Sequence, residues 1–387
     1  MRQNSIYNLD LTLLLCTLIA CAVGIIMVFS ATKTSHSEGL SLSDFTMRQA
    51  IYALVGILLM FIVARFDYRF IESFTLPLYV VTLALLGIVL VLGMVAYGAQ
   101  RWLHLGLFPI QPSELAKLTV VIVLAKVLAD HERQIDRVKW FVLAGLIAAI
   151  PAVIVFRQPD LGTAVVLGLI FLGMAVGARV PFRLFAALGV LAVPATYVFW
   201  NYVMHDYQRK RLFIFLDPES DLLGQGYNII QARISIGSGG WFGQGYMMGT
   251  QSQLGFTKVQ YSDFIFSVVA EEFGFFGALA LIVLLFIVVW RCLVVASRAR
   301  DTFGSLIAVG VATWIGAQIF INIGMNIGLM PVTGIPLPFI SYGGSSLVSL
   351  LLALGLVQSV ALRSSPVIFG GPQPSPVWST RTILRPR

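Results

Sequence analysis

The chain has 387 residues, of which 58% are hydrophobic and only 11% are charged. Since soluble globular proteins carry roughly a quarter charged residues, this composition excludes a soluble main body and indicates a membrane protein. The formal net charge of +8 is explained by cytoplasmic loops that collect Lys and Arg, so it gives no indication of a nucleic-acid partner.

Ten apolar runs follow one another along the chain, and most are long enough to cross a bilayer as a helix. Crossing about 30 Å of hydrocarbon takes roughly 20 helical residues, and the runs lack the alternation that barrel strands require. The sequence therefore predicts an all-α polytopic membrane protein with ten transmembrane helices. The runs cover residues 11–29, 49–64, 76–97, 115–128, 140–156, 161–177, 185–203, 264–290, 303–329 and 347–362.

The connections between these runs alternate in charge, which predicts the orientation of the chain. The positive-inside rule places the basic set and both termini in the cytoplasm, in agreement with an even number of spans. A large polar loop, residues 204–262, then lies outside between helices 7 and 8. Residues 1–363 form the membrane domain, and the Pro/Gly-rich residues 364–387 are predicted to be a disordered cytoplasmic tail. The basic set comprises Arg2, Arg65, Arg69, Arg133, Arg137, Lys139, Arg179, Arg183, Arg291, Arg298, Arg300, Arg363, Arg381, Arg385 and Arg387.

The first polar motif on the predicted outer side begins near Arg101 and runs through Pro112, Glu114 and Lys117. Pro112 fits the first turn of a helix, and Glu114 and Lys117 are spaced to pair on one helix face. Either charge alone would be costly at membrane depth. The spacing therefore predicts a structural ion pair that shapes a cavity, with direct contact to a substrate as the alternative.

The second motif, from Arg157 to Thr163, lies on a tight outer turn between the fifth and sixth spans. Aspartate is a preferred N-cap residue, so Asp160 is predicted to cap the following helix or to line a cavity. A turn this short does not require an arginine. Arg157 is therefore a candidate for binding an anionic group of a substrate.

The large loop begins with Arg209, Lys210 and Arg211, which precede aromatic and aliphatic residues in a pattern typical of an interfacial helix. Its glycines lack the strand–helix context of a dinucleotide site, and they permit close approach of the backbone to a ligand or a span. A mobile loop without function is the alternative. The loop ends at Asp263, and an ionisable residue at the edge of a membrane span is a functional-site candidate by default.

The connection between the last two runs, residues 331–346, is here called the Pro/Ser-rich segment. Its three prolines forbid a regular helix, and irregular backbone at membrane depth must be buried in protein or line a wet cavity. Ser341, Ser345 and Ser346 can donate to a phosphate or a sugar, or they can satisfy the freed backbone. The sequence favours neither alternative.

Seven motifs together carry a resemblance to a known family. They are Gln-Pro-Ser-Glu-Leu-Ala-Lys at 111–117, Gln-Pro-Asp-Leu-Gly-Thr at 158–163, Leu-Asp-Pro-Glu-Ser-Asp at 216–221, Ile-Gly-Ser-Gly-Gly at 236–240, Gly-Thr-Gln-Ser-Gln at 249–253, Asp-Phe-Ile-Phe at 263–266 and the Pro/Ser-rich segment. From about residue 11 to residue 362 the chain resembles the SEDS family (shape, elongation, division and sporulation). It is more similar to the elongation branch than to the division branch.

The resemblance implies ten transmembrane helices and peptidoglycan glycosyltransferase activity in the bacterial plasma membrane during cell-wall elongation. The implied substrates are lipid II and the nascent glycan strand. The implied partners are a class B penicillin-binding protein, which supplies transpeptidation, and other proteins of the elongation machinery. The family's essential aspartate maps onto Asp263. Many relatives have Pro-Glu-x-His-Thr before it, whereas residues 257–262 here are Thr-Lys-Val-Gln-Tyr-Ser, so no role of a Glu or His carries over.

The predicted reaction is attack of the GlcNAc 4-hydroxyl of lipid II on C1 of the lipid-linked MurNAc, with inversion and loss of undecaprenyl pyrophosphate. Asp263 is the predicted general base, a role worth about 10²–10⁴-fold in rate. The leaving pyrophosphate needs cations, and Mg²⁺ or Mn²⁺ can assist, although no acidic or Cys/His cluster marks a metal site. The predicted binding groups are Arg101, Lys117, Arg157, Arg209, Lys210, Arg211, Ser341, Ser345 and Ser346.

Two other functions stay open at this point. A lipid II flippase without chemistry would need a polar path through the cytoplasmic half as well, whereas the strong motifs lie on the predicted outer side. A noncatalytic scaffold for the penicillin-binding protein explains the helices but gives no reason for Asp263.

Overall fold

The computed structural model describes residues 9–32, 42–92, 94–96, 99–104, 109–204, 206–221, 224–254 and 260–364. The predicted tail, apart from Ser364, lies outside these residues. The described part of the chain contains fourteen α-helices in chain order. They are α1 (Leu11–Thr32), α2 (Leu42–Arg65), α3 (Tyr68–Glu72), α4 (Thr75–Leu92), α5 (Pro112–Asp130), α6 (Val138–Arg157), α7 (Leu161–Gly177), α8 (Phe182–Val198), α9 (Asp206–Leu216), α10 (Gln225–Ser238), α11 (Thr250–Gln253), α12 (Ile265–Arg298), α13 (Thr302–Asn326) and α14 (Gly344–Leu362).

Seven helices in the described ranges are long and apolar enough to cross a membrane, judged by length and composition. They lie in α1, α2, α6, α8 with its following turn, α12, α13 and α14. Two shorter apolar helices lie in α4 and α7. The predicted class, a helical membrane protein with several spans, is therefore confirmed.

A small antiparallel sheet between α4 and α5 is an addition that the apolar pattern did not predict. Its strands are β1 (Met94–Ala96), β2 (Ala99–His104) and β3 (Pro109–Ile110), in the spatial order β1-β2-β3. The third apolar run was expected to be helical through residue 97, but α4 ends at Leu92 and the run continues as β1. An apolar run alone does not distinguish the end of a helix from a short strand.

Helix α12 is broken into two half-helices at Gly274, where φ is 66° and ψ is −164°. Residues 239–245 of the large loop, here called the inserted loop, supply hydrogen bonds at the break. The Gln244 N–H donates to the Glu271 carbonyl at 3.0 Å, and the Phe275 N–H donates to a carbonyl of the inserted loop at 2.8 Å. The break therefore leaves these backbone groups satisfied, as an apolar surrounding requires.

Helix α13 lies at the centre of the bundle and packs against α5, α7, α12 and α14. Its buried face is not purely apolar, because Gln318, Asn322 and Asn326 follow one another at four-residue spacing and are each 0% exposed. Buried amides are costly unless they form hydrogen bonds. Asn322 and Asn326 donate hydrogen bonds to the backbone of Asp263, which lies in the candidate functional site.

Candidate functional site

Asp263 lies in the turn that immediately precedes α12, and its side chain is half-buried. The Ser262 hydroxyl is 2.9 Å from Asp263 Oδ1 and donates to it. The Asp263 backbone carbonyl accepts hydrogen bonds from Asn322 Nδ2 and Asn326 Nδ2, each at 3.1 Å. A Cβ atom placed on Gly334 would lie 3.7 Å from Asp263 Oδ2. The carboxylate therefore lies beside the Pro/Ser-rich segment at a residue that has no side chain.

The Pro/Ser-rich segment is irregular, as its prolines predicted, and it is bonded to the turn that carries Asp263. The Ser341 hydroxyl donates to the Ser262 carbonyl at 2.5 Å and accepts the Leu337 N–H at 2.8 Å. The Tyr342 N–H donates to the Tyr261 carbonyl at 2.9 Å. Ser341 therefore satisfies freed backbone groups, which was one of the two alternatives for the serines.

The first turns of α5 and α7 meet the same segment. The Gln111 N–H, just before α5, donates to Ser345 Oγ at 3.1 Å. Gly162 in the first turn of α7 packs so closely that an added Cβ would lie 2.8 Å from Ile335 Cγ1 and 3.0 Å from the Thr333 carbonyl oxygen. Motifs that are far apart in sequence thus converge around the segment next to Asp263.

An aromatic cluster at α2 holds the turn before Asp263 from another side, and the sequence analysis did not single it out. The Phe45 ring lies 5.1 Å from the Tyr261 ring and 5.2 Å from the Tyr342 ring, measured between centroids. One turn further along α2, Gln49 Nε2 donates to the Ser341 carbonyl at 3.2 Å. Helix α2 therefore contacts both the turn and the Pro/Ser-rich segment.

Glu114 and Lys117 form the ion pair that their spacing predicted. Lys117 Nζ lies 2.7 Å from Glu114 Oε1, and the two side chains are 1% and 3% exposed, respectively. The Lys117 ammonium also lies 5.2 Å from the centroid of the Trp314 ring. In this arrangement Lys117 faces Glu114 and Trp314, so binding of a phosphate by Lys117 would require the pair to open.

Asp160 caps α7, which was the interpretation that its residue type favoured. Asp160 Oδ1 accepts the Thr163 N–H at 3.1 Å, and Asp160 Oδ2 accepts the Thr163 hydroxyl at 3.0 Å. The neighbouring Gln158 Nε2 donates to the Leu86 carbonyl at 2.9 Å. Arg157 ends α6 and is exposed.

The basic trio of the large loop, Arg209, Lys210 and Arg211, lies on α9, and its three side chains have different surroundings. Arg209 Nη2 donates to the Trp200 carbonyl at 2.6 Å, and Lys210 Nζ lies 4.0 Å from Asp221 Oδ1. Arg211 Nη1 donates to a carbonyl of the Pro/Ser-rich segment, that of Val332, at 3.5 Å. Within the trio, these contacts bring Arg211 to the segment beside Asp263. The side chain of Arg101 lies outside the described residues.

Two further carboxylates, Glu271 and Glu272, follow Asp263 by about two helical turns and are engaged by the surrounding chain. Glu271 Oε1 accepts the Gln251 N–H at 2.7 Å, and Glu271 Oε2 accepts the Ser252 N–H at 3.0 Å. The Ser30 hydroxyl donates to Glu272 Oε1. Both carboxylates are buried, so they lie in a different environment from the half-buried Asp263.

Across the ranges that the structure describes, no three His, Cys, Asp or Glu side chains come together in a way that could hold a metal ion. The expectation that Mg²⁺ or Mn²⁺ assists stays a prediction.

The sequence analysis missed Asn322 and Asn326, although a signal for them was present. Two amides four residues apart in an otherwise apolar helix share one face, and polar groups inside membrane helices mark functional sites. Only the three-dimensional structure shows that both amides bond the Asp263 carbonyl.

The fold and the site together define a class, a multi-pass helical membrane protein with a carboxylate site at one end of its helical bundle. A family model described as "Cell cycle protein", named for FtsW, RodA and SpoVE, matches residues 10–365. The chain belongs to this family, the SEDS family, as its motifs predicted.

Relatives and solved structures support this membership over most of the chain. The chain is 38% identical to the peptidoglycan glycosyltransferase MrdB of Escherichia coli K12, over 91% of this chain and 93% of that protein. It is 37% identical to stage V sporulation protein E of Bacillus subtilis, over 92% and 97%.

Two solved structures are similar. One is a chain from a peptidoglycan synthase complex described as coordinating polymerization and crosslinking, with a TM-score of 0.78, 32% identity and coverage of 91% and 97%. The other is the rod shape determining protein RodA of Thermus thermophilus, with a TM-score of 0.66, 30% identity and coverage of 91% and 96%.

Proposed function

We propose that this chain is a peptidoglycan glycosyltransferase that polymerises lipid II into glycan strands during cell-wall elongation. The observation that carries the proposal is the position of Asp263, whose carboxylate lies beside the irregular segment on which the first turns of α5 and α7 converge. The relative in Escherichia coli that is named a peptidoglycan glycosyltransferase, at 38% identity, supports the same activity.

In this proposal Asp263 is the general base. It takes the proton from the GlcNAc 4-hydroxyl of the acceptor as that oxygen attacks C1 of the lipid-linked MurNAc. The C1–O bond to the pyrophosphate breaks, undecaprenyl pyrophosphate leaves with the bonding electron pair, and C1 is inverted. The carboxylate is half-buried, and a Cβ added to Gly334 would lie 3.7 Å from Oδ2, so the proposal places the acceptor hydroxyl on the side of the carboxylate that faces Gly334.

Cations near this carboxylate stabilise the charge that develops on the leaving pyrophosphate. Arg211 is the first candidate because it reaches the Pro/Ser-rich segment at Val332. Arg157 is the second, because it is exposed at the end of α6, directly before the turn that packs on the segment. A pyrophosphate-bound Mg²⁺ or Mn²⁺ is compatible with this arrangement. Lys117 shapes the wall of the cavity through its ion pair with Glu114.

The site belongs to the extracytoplasmic end of a bundle of ten spans. Each of the ten apolar runs overlaps a helix. Helix α5 is counted among the spans although it carries the charges of the Glu114–Lys117 ion pair. Arg291 near the far end of α12 contacts Asp10 at the start of α1, so these positions share one end of the bundle. That end carries the basic loops, which the positive-inside rule assigns to the cytoplasm. Asp263, at the opposite end of α12, then lies outside.

The partner is a class B penicillin-binding protein that cross-links the strands made here. The similarity to a chain of a peptidoglycan synthase complex, at a TM-score of 0.78, supports this assignment. Polymerisation and cross-linking would then occur on the same side of the bacterial plasma membrane.

The test uses the purified full chain together with its penicillin-binding partner and fluorescent lipid II. A glycosyltransferase makes glycan polymer in detergent, where there is no bilayer for a substrate to cross, and gel electrophoresis of the product detects it. A flippase makes no polymer and instead moves lipid II across the membrane of a sealed vesicle. The second result would replace the proposed activity with transport.

A further inference from the structure

The turn that carries Asp263 is held by two amides from a different helix. The Asp263 carbonyl accepts Asn322 Nδ2 and Asn326 Nδ2, each at 3.1 Å, and both asparagines are 0% exposed. They are one turn apart on α13, the central helix of the bundle. The backbone of Asp263 is therefore bonded to fully buried side chains of the central helix and not only to its own helix.

The first turn of α12 bonds the carbonyl of the next residue, Phe264. The Ser267 N–H donates to the Phe264 carbonyl at 3.0 Å, and the Ser267 hydroxyl donates to the same oxygen at 2.7 Å. A carbonyl has two lone pairs, and the two asparagines occupy both acceptor positions of the Asp263 carbonyl. Two buried amides placed on one oxygen fix its position more tightly than a single bond would.

Asn322 also connects the turn to the opposite wall of the site. Its Nδ2 donates to the Ile335 carbonyl at 2.8 Å, within the Pro/Ser-rich segment. Asn326 Nδ2 donates in addition to the Asn322 carbonyl at 2.9 Å, which ties the two asparagines together. One side-chain amide of α13 thus sets the separation between the backbone of Asp263 and that of Ile335.

We propose that Asn322 and Asn326 are positioning residues for glycan polymerisation, and that they set where the Asp263 carboxylate sits relative to the Pro/Ser-rich segment. The inference rests on the proposed function, in which Asp263 is the general base.

The test replaces each asparagine separately with serine, as Asn322→Ser and Asn326→Ser, because serine is too short to reach the Asp263 carbonyl. The full chain with its penicillin-binding partner is assayed with fluorescent lipid II. Since misplacement of a reacting group by about 1 Å can cost about 100-fold, we expect kcat to fall about 10- to 100-fold in each variant. The KM for lipid II and the binding of the partner should stay close to their wild-type values, because both asparagines are 0% exposed.

The matched control is Ser267→Ala, which removes a buried hydrogen bond to the neighbouring Phe264 carbonyl and leaves the bonds to Asp263 intact. We expect its kcat to stay within about twofold of wild type, since Phe264 keeps its helical bond. A thermal unfolding curve accompanies every variant. If one serine variant does not fold, the other carries the test, because both asparagines bond the same oxygen.

The same substitutions in an Asp263→Ala background separate this inference from the function on which it rests. Non-additivity is expected for groups that act as a unit, so the serine variants should cause no further loss once the carboxylate is gone. If Asp263→Ala is inactive but folded serine variants keep wild-type kcat, the positioning role is wrong and the proposed function stands. If KM rises, or partner binding weakens, as much as kcat falls, the asparagines are merely structural. If Asp263→Ala polymerises like wild type, both proposals are overturned.

Discussion

Lys117 Nζ lies 2.7 Å from Glu114 Oε1, and both side chains are almost completely buried. Two charges in such a place stabilise each other only while both are present, because removal of one leaves the other without compensation. We therefore expect Lys117→Met to destabilise the protein by about 3–5 kcal/mol. Unfolding of the detergent-solubilised protein by heat or denaturant measures the loss.

The matched control is Lys126→Met on the same helix, where the ammonium lies 3.1 Å from Glu72 Oε1 and both side chains are about a third exposed. Solvent screens this pair, so we expect a loss of only about 0–1 kcal/mol. The double variant Glu114→Leu/Lys117→Met should recover most of the stability, since no lone charge is left. Equal effects of the two lysine substitutions would contradict the structural role of the buried pair.

Gly274 allows the break in α12, because its φ of 66° disfavours residues with a side chain, and an added Cβ would lie 2.3 Å from the Gly243 nitrogen. We expect Gly274→Ala to cost about 1–3 kcal/mol through backbone strain, with a further loss from this clash. Melting temperature and protease cleavage within the inserted loop report the change.

Gly168 supplies the control for this substitution, since it is helical and nothing lies within 4 Å of a Cβ added there. Gly168→Ala should be neutral or should stabilise by about 0.4–1 kcal/mol by restricting the unfolded chain. A Gly274→Ala protein as stable and as protease-resistant as Gly168→Ala would mean that the inserted loop does not depend on the break.

Tyr68 should make stability depend on alkaline pH. Burial, and then the carboxylate of Asp301, which accepts the Tyr68 hydroxyl at 2.7 Å, raise the pKa of Tyr68 above its ordinary value of 10.0. A pKa that is raised by folding stabilises the protein fully below the unfolded pKa of about 10, and this contribution is lost as pH rises towards the folded pKa.

The measurement is melting temperature between about pH 9 and 11, which brackets the unfolded tyrosine pKa. Wild type should lose stability more steeply across this interval than Tyr68→Phe, so that the difference between the two proteins narrows as pH rises. Tyr202→Phe, a substitution at an exposed tyrosine, should follow the wild-type curve. Parallel curves for wild type and Tyr68→Phe would show that Tyr68 does not titrate differently in the two states.

Arg211 is expected to bind the pyrophosphate of the lipid-linked substrate. Its guanidinium already reaches the Pro/Ser-rich segment at the Val332 carbonyl, and charge-assisted hydrogen bonds to phosphate are about twice as strong as neutral ones. Arg211→Gln should lower kcat/KM by about 10- to 150-fold, since a hydrogen bond to a charged group contributes about 1.5–3 kcal/mol and each 1.36 kcal/mol is tenfold. Arg211→Lys should keep part of the activity because it keeps the charge.

The control for Arg211 is Arg300→Gln, an exposed arginine beyond the other end of α12, which should leave kcat/KM unchanged. A normal kcat/KM for Arg211→Gln would assign the pyrophosphate to other cations, with Arg157 as the next to test.

Much of this architecture follows from local signals in the sequence. The apolar runs predicted the long helices, and spacing alone predicted the pair of Glu114 with Lys117 and the cap made by Asp160. These are contacts between residues three positions apart. The helical periodicity of the backbone determines such contacts without knowledge of the rest of the fold.

The remaining features depend on contacts between residues that are far apart in the chain, and such contacts cannot be inferred from a single sequence. The bond from Asn322 to the Asp263 carbonyl joins residues 59 positions apart, and the contact of Arg211 with Val332 joins residues 121 apart. Gly274 interrupts what reads as one continuous apolar helix, and no local pattern indicates that a distant loop bonds to the break. The small sheet was missed because a short strand and a frayed helix end have the same apolar pattern.

The most direct measurement of the central claim compares Asp263→Asn with Asp217→Asn in glycan polymerisation by the complex with its penicillin-binding partner. Asparagine keeps the shape of Asp263 but cannot accept a proton as a base, so polymer formation should fall about 10²–10⁴-fold while lipid II still binds. Asp217 is an exposed carboxylate of the same large loop, and its variant should polymerise like wild type. An Asp263→Asn protein that makes glycan at the wild-type rate would contradict the account.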